Sequence, residues 1–433
     1  MTHGTSHPLK GEDYKTLLLA ALGGALEFYD FIIFVFFAPV IGQLFFPAAI
    51  PDWLRQLQTL GIFAAGYLAR PLGGIIVAHF GDLLGRKRMF MLSVLLMAVP
   101  TLLMGLSPTY ATVGAIAPVW LLVLRVLQGA AVGGEVPGAW VFVSEHVPRR
   151  YTGLACGTLT AGLTAGILLG SLVATSIHTG YSAPEIDAYA WRIPFLLGGV
   201  FGLVAVYLRQ WLRETPVFTE LQRLNLLAAE TPVKAVLRDH RRAVAASMAL
   251  TWMLSAAIVV VILMTPQLLQ KQFHLAAQTT LIANSAATLA LCIGCVGAGW
   301  LADRFGRHRV LAGGAFALAL CYYALFRLMD IQPALLLPLY ALSGLSVGVV
   351  GIVPFIMIEM FPPAVRFSGI AFSYNVSYAV FGGFTPIAIS LMMKSNPQAP
   401  VLYVGALCVL GIVTLPFTGG YRQRPSPATA AVD

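Results

Sequence analysis

Charge is what this sequence has least of. Asp, Glu, Lys and Arg make up 10% of its 433 residues, against about 25% in an ordinary soluble domain, and 58% of the chain is hydrophobic. A water-soluble globular protein is thereby excluded. The short alternating segments of an outer-membrane barrel are missing too, since the apolar runs are long and continuous. There is no GxxxxGK[ST] loop, which argues against direct use of ATP, and no HExxH or GxSxG on which to build an enzyme. The five cysteines (Cys156, Cys292, Cys295, Cys321 and Cys408) all fall in apolar stretches. Cys292 and Cys295 form a CxxC, but with no second pair and no His nearby they read as small packing residues rather than a metal or redox centre. Residues 1–16 are polar and carry no cleavable leader, so the first apolar run is expected to act as its own insertion signal.

Windows of about 20 apolar residues recur about twelve times between positions 17 and 418. The one long polar connection, 214–241, divides them into two groups of six. The expected architecture is an all-α membrane protein of about twelve transmembrane helices in two pseudo-symmetric six-helix bundles, 1–213 and 242–433, joined by a cytoplasmic linker over 214–241. The net charge of +9 would point to nucleic acid in a soluble chain. Here it reflects Lys and Arg gathered on one side of a bilayer, and no nucleic-acid partner is expected. With the N-terminus inside, only Arg55, Arg192, Lys271, Arg327 and Lys394 fall outside, and Arg70 and Arg125 lie within spans. Both termini therefore read as cytoplasmic.

The halves repeat. Gly81-Asp82-Leu-Leu-Gly85-Arg86-Lys87-Arg88 follows the second span, and Ala302-Asp303-Arg304-Phe-Gly306-Arg307-His308-Arg309 follows the eighth. Glu145-His-Val-Pro148 closes the fourth, and Glu359-Met-Phe-Pro362 closes the tenth. Two unrelated motifs recurring at nearly the same offset imply parallel repeats, with a substrate site near the midplane and one half rocking on the other. Asp82, Arg86, Arg88, Glu145, Asp303, Arg307, Arg309 and Glu359 are expected to form charge networks that hold the inner gate shut and break when it opens.

Within the spans, an Arg or Asp near the bilayer centre costs roughly 2.5–3.5 kcal/mol on the insertion scale, so such residues face a partner or a wet cavity. Arg125, Gln128 and Glu135 share one side of the fourth helix, among the glycines Gly129, Gly133, Gly134 and Gly138 that admit a neighbouring backbone. Glu27 and Asp30, three apart on the first helix, are neighbours in low dielectric and cannot both be comfortably ionised, which suits one of them to carry a proton. Glu27, Asp30 and Glu135 are thus the proton-handling candidates, Asp30 foremost. Arg125 either answers Asp30 or Glu27 or clamps a substrate carboxylate with its planar fork. Arg70 lies near mid-membrane, either contacting an anionic substrate or pairing with one of the first-helix acids. The second half is almost uncharged in its spans. Its polar candidates are Asn284, Tyr374, Asn375 and Tyr378, the last three beside a kink expected at Gly382, Gly383 and Pro386.

These motifs together resemble the major facilitator superfamily and, within it, the metabolite:proton symporters, carriers of citrate, 2-oxoglutarate, shikimate, proline and betaine. The likeness spans essentially the whole chain. It is carried by Leu26-Glu27-Phe28-Tyr29-Asp30-Phe31, Ala69-Arg70-Pro71-Leu72-Gly73-Gly74, Arg125-x-x-Gln128-Gly129-x-x-x-Gly133-Gly134-Glu135, Trp191-Arg192-Ile193-Pro194-Phe195, Arg213-Glu214-Thr215-Pro216 and Tyr378-Ala-Val-Phe-Gly382-Gly383-x-x-Pro386. The chain departs from the pattern at Ala78, where the loop motif has a glycine, and at Leu83, where it has a basic residue. The resemblance implies the major facilitator fold and a secondary transporter in a bacterial inner membrane, working as a monomer with the proton as coupling ion and no other cofactor. Tyr29, in the first-helix motif, and Gln128 join Arg125 and Arg70 as expected substrate contacts. The expected function is import of a small carboxylate-bearing metabolite with protons, a di- or tricarboxylic acid first and a betaine- or proline-type osmolyte as the alternative. A proton-driven exporter is disfavoured, because the fifth helix has Gly157, Gly162, Gly166 and Gly170 but lacks the proline of the exporter signature.

Overall fold

The structure is a computed structural model that describes residues 9, 11–84, 86–209, 232–329, 331–362 and 365–419. Of residues 12, 78–84, 86–91, 209, 232, 233, 235 and 277 it describes only the backbone. The spans are α1 (Gly11–Phe36), α2 (Asp52–Leu84), α3 (Arg86–Leu106), α4 (Ile116–His146), α5 (Thr152–Gly180) and α6 (Arg192–Arg209) in the first half. The second half has α7 (Arg241–Phe273), α8 (Ala277–Phe305), α9 (Arg307–Met329), α10 (Pro333–Met360), α11 (Arg366–Met392) and α12 (Ala399–Phe417). Ten helices among the described residues are long and apolar enough to cross a membrane. An eleventh crosses as the bent pair Ala183–Ala190 and Arg192–Leu208, and α3 contributes the shorter apolar stretch Leu92–Leu106. About twelve spans is therefore the right reading.

The burial pattern runs opposite to that of a soluble protein. On α4, Val119, Val123, Val126 and Leu127 are exposed, whereas Arg125, Gln128 and Glu135 are buried. Apolar surface faces lipid and polar groups face inward, where other helices supply partners. Packing repeats between the halves. The tightest pairs are α2–α4, α1–α5 and α3–α6 in the first half, and their counterparts α8–α10, α7–α11 and α9–α12 recur in the second. Two seams join the halves, α5 against α8 and α2 against α11.

Glycine sets how close α2 and α4 come. A Cβ on Gly129 would strike the Gly66 carbonyl, and one on Gly133 the Arg70 carbonyl, so backbone lies on backbone as small residues permit in membranes. The CxxC serves the α5–α8 seam. Cys295 carbonyl sits where a side chain on Gly157 would be, and Cys292 Sγ is 3.3 Å from Thr164 Oγ1.

Two long helices take a π-helical turn midway. In α7, Ala257–Met264 is π-helical, and in α11, Tyr378–Gly382 is. Such turns free main-chain carbonyls and are frequent at functional sites. In α7 the freed acceptors are used at once, Thr265 Oγ1 donating to Val260 and Tyr340 to Val261 (2.8 Å each). The disturbance in α11 falls at Tyr378, just before the glycine pair where a kink is expected. Of the connection between the halves, 210–231 lies outside the described residues. Pro232–Asp239 is a short helix against α11, with Val236 buried.

Candidate functional site

Among the described residues, three cavities of about 90, 570 and 280 Å³ open between the halves at the face away from the terminal face, the one bearing Gly11 and Phe417. The smallest reaches deepest. Phe34, Thr59 and Phe63 line it from the first half, and Val259, Leu263, Met264 and Pro386 from the second. The second-half lining includes the π-helical stretch of α7.

Phe34 and Phe63 are also two walls of the box that holds Arg125. The guanidinium lies 4.5, 4.4 and 5.7 Å from the ring centres of Phe31, Phe34 and Phe63, cation against π-face. Its Nη1 donates to the Phe31 carbonyl (3.1 Å) and to Gln128 Oε1 (2.9 Å). Nε and Nη2 are buried with no hydrogen-bond partner among the described residues. They face Gly66, where a Cβ would sit 3.7 Å away. Among the described residues no acid meets Arg125, and one edge of its fork is unused.

Asp30 is reached indirectly. Gln128 Nε2 donates to Thr101 Oγ1 at 2.6 Å, whose own proton goes to the Met97 carbonyl at 2.9 Å. The Asp30 carboxyl borders the Thr101 side chain beside Gly198, with no hydrogen-bond partner among the described residues. The polar sequence Arg125, Gln128, Thr101, Asp30 therefore crosses from α4 through α3 to α1. Glycines on α6 make room for the acid, since a Cβ at Gly198 would stand 2.6 Å from Asp30 Oδ1. Glu27 is buried one turn earlier on α1, and Glu135 is buried further along α4.

Arg70 occupies a second box. Its guanidinium is 5.5, 5.2 and 4.6 Å from the rings of Tyr67, Tyr374 and Tyr378, so α2 supplies the cation and α11 most of the cage. Tyr67 stacks on Tyr378 and also touches Phe31 (5.1 Å) and Phe63 (4.8 Å). The two boxes share that wall. Trp140 closes the far end, edge-on to Tyr374 at 4.9 Å. Asn375 donates across the halves to the Gly133 carbonyl.

Tyr29 is placed differently from the expectation. Its hydroxyl donates to the Pro194 carbonyl (2.8 Å) and its ring meets Phe201 edge-on, both on α6. That is a contact inside the first six helices, because Tyr29 points away from the α2–α11 seam. Sequence reading also missed Phe31, Phe34, Phe63, Thr101 and Trp140. In an apolar helix a ring near an arginine looks like any core residue. Only Tyr67, three before Arg70, carried a visible signal.

At the terminal face, described residues of the two halves meet directly. Asp303 at the end of α8 accepts from the Gly153 and Leu154 amides (2.8 Å each), capping the start of α5 as an anion at a helix N-terminus. Arg366 of α11 reaches Glu145 of α4 at 3.8 Å, and Arg307 pairs with Glu359 within the second half. The second copy of the loop motif thus works through Asp303 and backbone more than through an arginine–aspartate cluster. Arg309 is exposed, and Asp82, Arg86 and Arg88 fall outside the residues whose side chains are described.

The sequence matches the Major Facilitator Superfamily over residues 20–386 and 247–431. This chain belongs to that superfamily. A glycine betaine/proline/ectoine/pipecolic acid transporter of Dickeya dadantii is 30% identical over 423 residues, covering 95% of this chain and 84% of that protein. A proline/betaine transporter of Salmonella typhimurium is 29% identical over 417 residues, 93% of this chain and 83% of the other. A partially occluded, inward-open structure of the xylose transporter XylE from E. coli superposes with TM-score 0.74 at 17% identity, covering 96% of this chain and 100% of that one. The last comparison bears on the fold. The protein is a multi-pass membrane transporter and not an enzyme.

Proposed function

We propose that this protein is a proton-coupled symporter of a compact zwitterion of the betaine or proline kind, working by alternating access as a monomer in a bacterial inner membrane. The terminal face is then cytoplasmic, and the conformation described above is outward-facing. The observation that carries the reading is the Arg125 box at the foot of the cavity. A free guanidinium edge there meets one carboxylate bidentately, and the phenylalanine faces around it suit a methylated or ring ammonium.

The named relatives support the osmolyte alternative over a di- or tricarboxylic acid, and so does charge. A tricarboxylate entering this apolar cavity brings three anions toward one guanidinium, that of Arg125, which is buried behind the Phe34 and Phe63 rings. The cations that line the cavities themselves, Arg55 and Lys271, sit at the outer rim. A zwitterion brings no net charge, which avoids most of the desolvation cost of burying an ion. Asp30 is proposed as the proton carrier, with Glu27 and Glu135 as its buried companions. The Thr101–Gln128 bridge is its route to Arg125, so protonation at one end alters the clamp at the other.

The test is internal pH in proteoliposomes with a trapped dye, on adding glycine betaine, proline, citrate and 2-oxoglutarate one at a time. Acidification by betaine or proline alone is the expected result. Acidification by citrate or 2-oxoglutarate alone restores the organic-acid reading, and silence to all four rejects symport of either class.

A further inference from the structure

We infer that Arg70, Tyr67, Tyr374, Asn375 and Tyr378 form a second substrate station, which the solute occupies after leaving Arg125 and before reaching the terminal face. This rests on the reading that the solute is a zwitterion bound first at Arg125.

Three observations converge on it. Arg70 is 1% exposed, yet Nε and Nη2 have no hydrogen-bond partner among the described residues. Asn375, also 1% exposed, spends its amide nitrogen on Gly133 and leaves Oδ1 without a hydrogen-bond partner among the described residues. A buried donor or acceptor left unsatisfied loses its hydration without replacing it, and the described structure carries several such groups together, donors and acceptor both. They have the complementary polarity of a carboxylate and an N–H cation. The third observation is the rings. Tyr67, Tyr374 and Tyr378 make a box sized for a cation, and the cation now in it is tethered to the protein.

The two stations are in series. Phe34 and Phe63 floor the cavity, Phe63 and Phe31 abut Tyr67, and Tyr67 stacks on Tyr378 (5.6 Å, 5° from parallel). Tyr67 belongs to the first half and Tyr378 to the second, at the start of the π-helical stretch of α11. Any rocking of the halves shears this stack. With the stack closed, a solute on Arg125 is walled from Arg70. With it sheared, Arg70 swings out of its box, its fork takes the carboxylate, and the tyrosine faces take the ammonium. Binding from the cavity side thus needs Arg125 alone, and delivery needs both arginines.

The experiment separates binding from transport. Equilibrium binding of radiolabelled glycine betaine and proline to detergent-solubilised full-length protein is compared with uptake into proteoliposomes, for wild type, Arg125→Ala, Arg70→Lys, Arg70→Ala and Tyr378→Ala. Thermal unfolding accompanies each variant. The expected result is binding lost in Arg125→Ala, binding within about twofold of wild type in the Arg70 and Tyr378 variants, and uptake in those variants reduced tenfold or more. Arg70→Lys keeps the charge in the box and serves if Arg70→Ala does not fold. Loss of binding in Arg70→Lys equal to that in Arg125→Ala makes the two arginines one site and overturns the proposal. Wild-type uptake by Arg70→Lys and Tyr378→Ala overturns it as well. If wild type binds neither zwitterion, the functional reading fails separately, and the same comparison is made with whichever acid it takes up.

Discussion

Tyr67 and Tyr378 lie face to face across the two halves, 5.6 Å apart and 5° from parallel. Each is within reach of the Arg70 guanidinium. One pair of rings therefore joins the bundles, cages a buried cation and separates it from the cavity above.

Asp30→Asn removes a titratable group and keeps its shape beside Thr101. Uptake driven by a pH gradient is expected to vanish, while exchange of labelled for unlabelled solute with no gradient persists. Driven uptake equal to wild type would remove Asp30 from the proton path.

Arg125→Lys keeps the charge and loses the fork. A lysine cannot bond the Phe31 carbonyl and Gln128 while offering two further donors to a carboxylate. Affinity for the transported solute should fall tenfold or more, about 1.4 kcal/mol or above. An unchanged dissociation constant by equilibrium binding would end the clamp role.

Asp303→Asn weakens a charge-assisted cap that spans the halves. Each amide bonded to a charged acceptor is worth about 1.5–3 kcal/mol, and asparagine keeps at most a neutral version of one. The terminal face should open more often. In a background lacking the five native cysteines, maleimide labelling of Ala155→Cys, buried beside this cap, should quicken severalfold. Equal rates would mean that the cap does not hold the closed state.

Gly133→Ala places a methyl on the Arg70 carbonyl. Overpacking of this kind costs about 1–3 kcal/mol, and the strain falls on the α2–α4 contact that positions both arginines. A lowered unfolding temperature in detergent is expected, with uptake lost beyond what the stability change explains. Gly297→Ala, where nothing lies within 4 Å of the added carbon, is the control and should behave as wild type.

Much of this was legible without coordinates. Apolar runs of bilayer length, the scarcity of charge and the twin motifs at Asp82 and Asp303 determined a twelve-helix transporter of two related halves. The same pattern marked Arg70, Arg125, Asp30, Glu27 and Glu135, because each charge in a span must have a reason to be there. What each charge does is set by neighbours far away in sequence. Glu27 and Asp30 looked like partners for Arg125, yet Arg125 bonds a backbone carbonyl and Gln128, and Thr101 on a third helix stands between Gln128 and Asp30. Asp303 looked like part of a cluster with arginines, and it caps the amides of Gly153 and Leu154 instead. Tyr29 sat in the right motif and faces the wrong way. Periodicity fixes which side of a helix a residue occupies, but not which helix faces that side. That was decided only when glycines drew α2 onto α4 and the π-helical turn in α11 set Tyr378 against Tyr67.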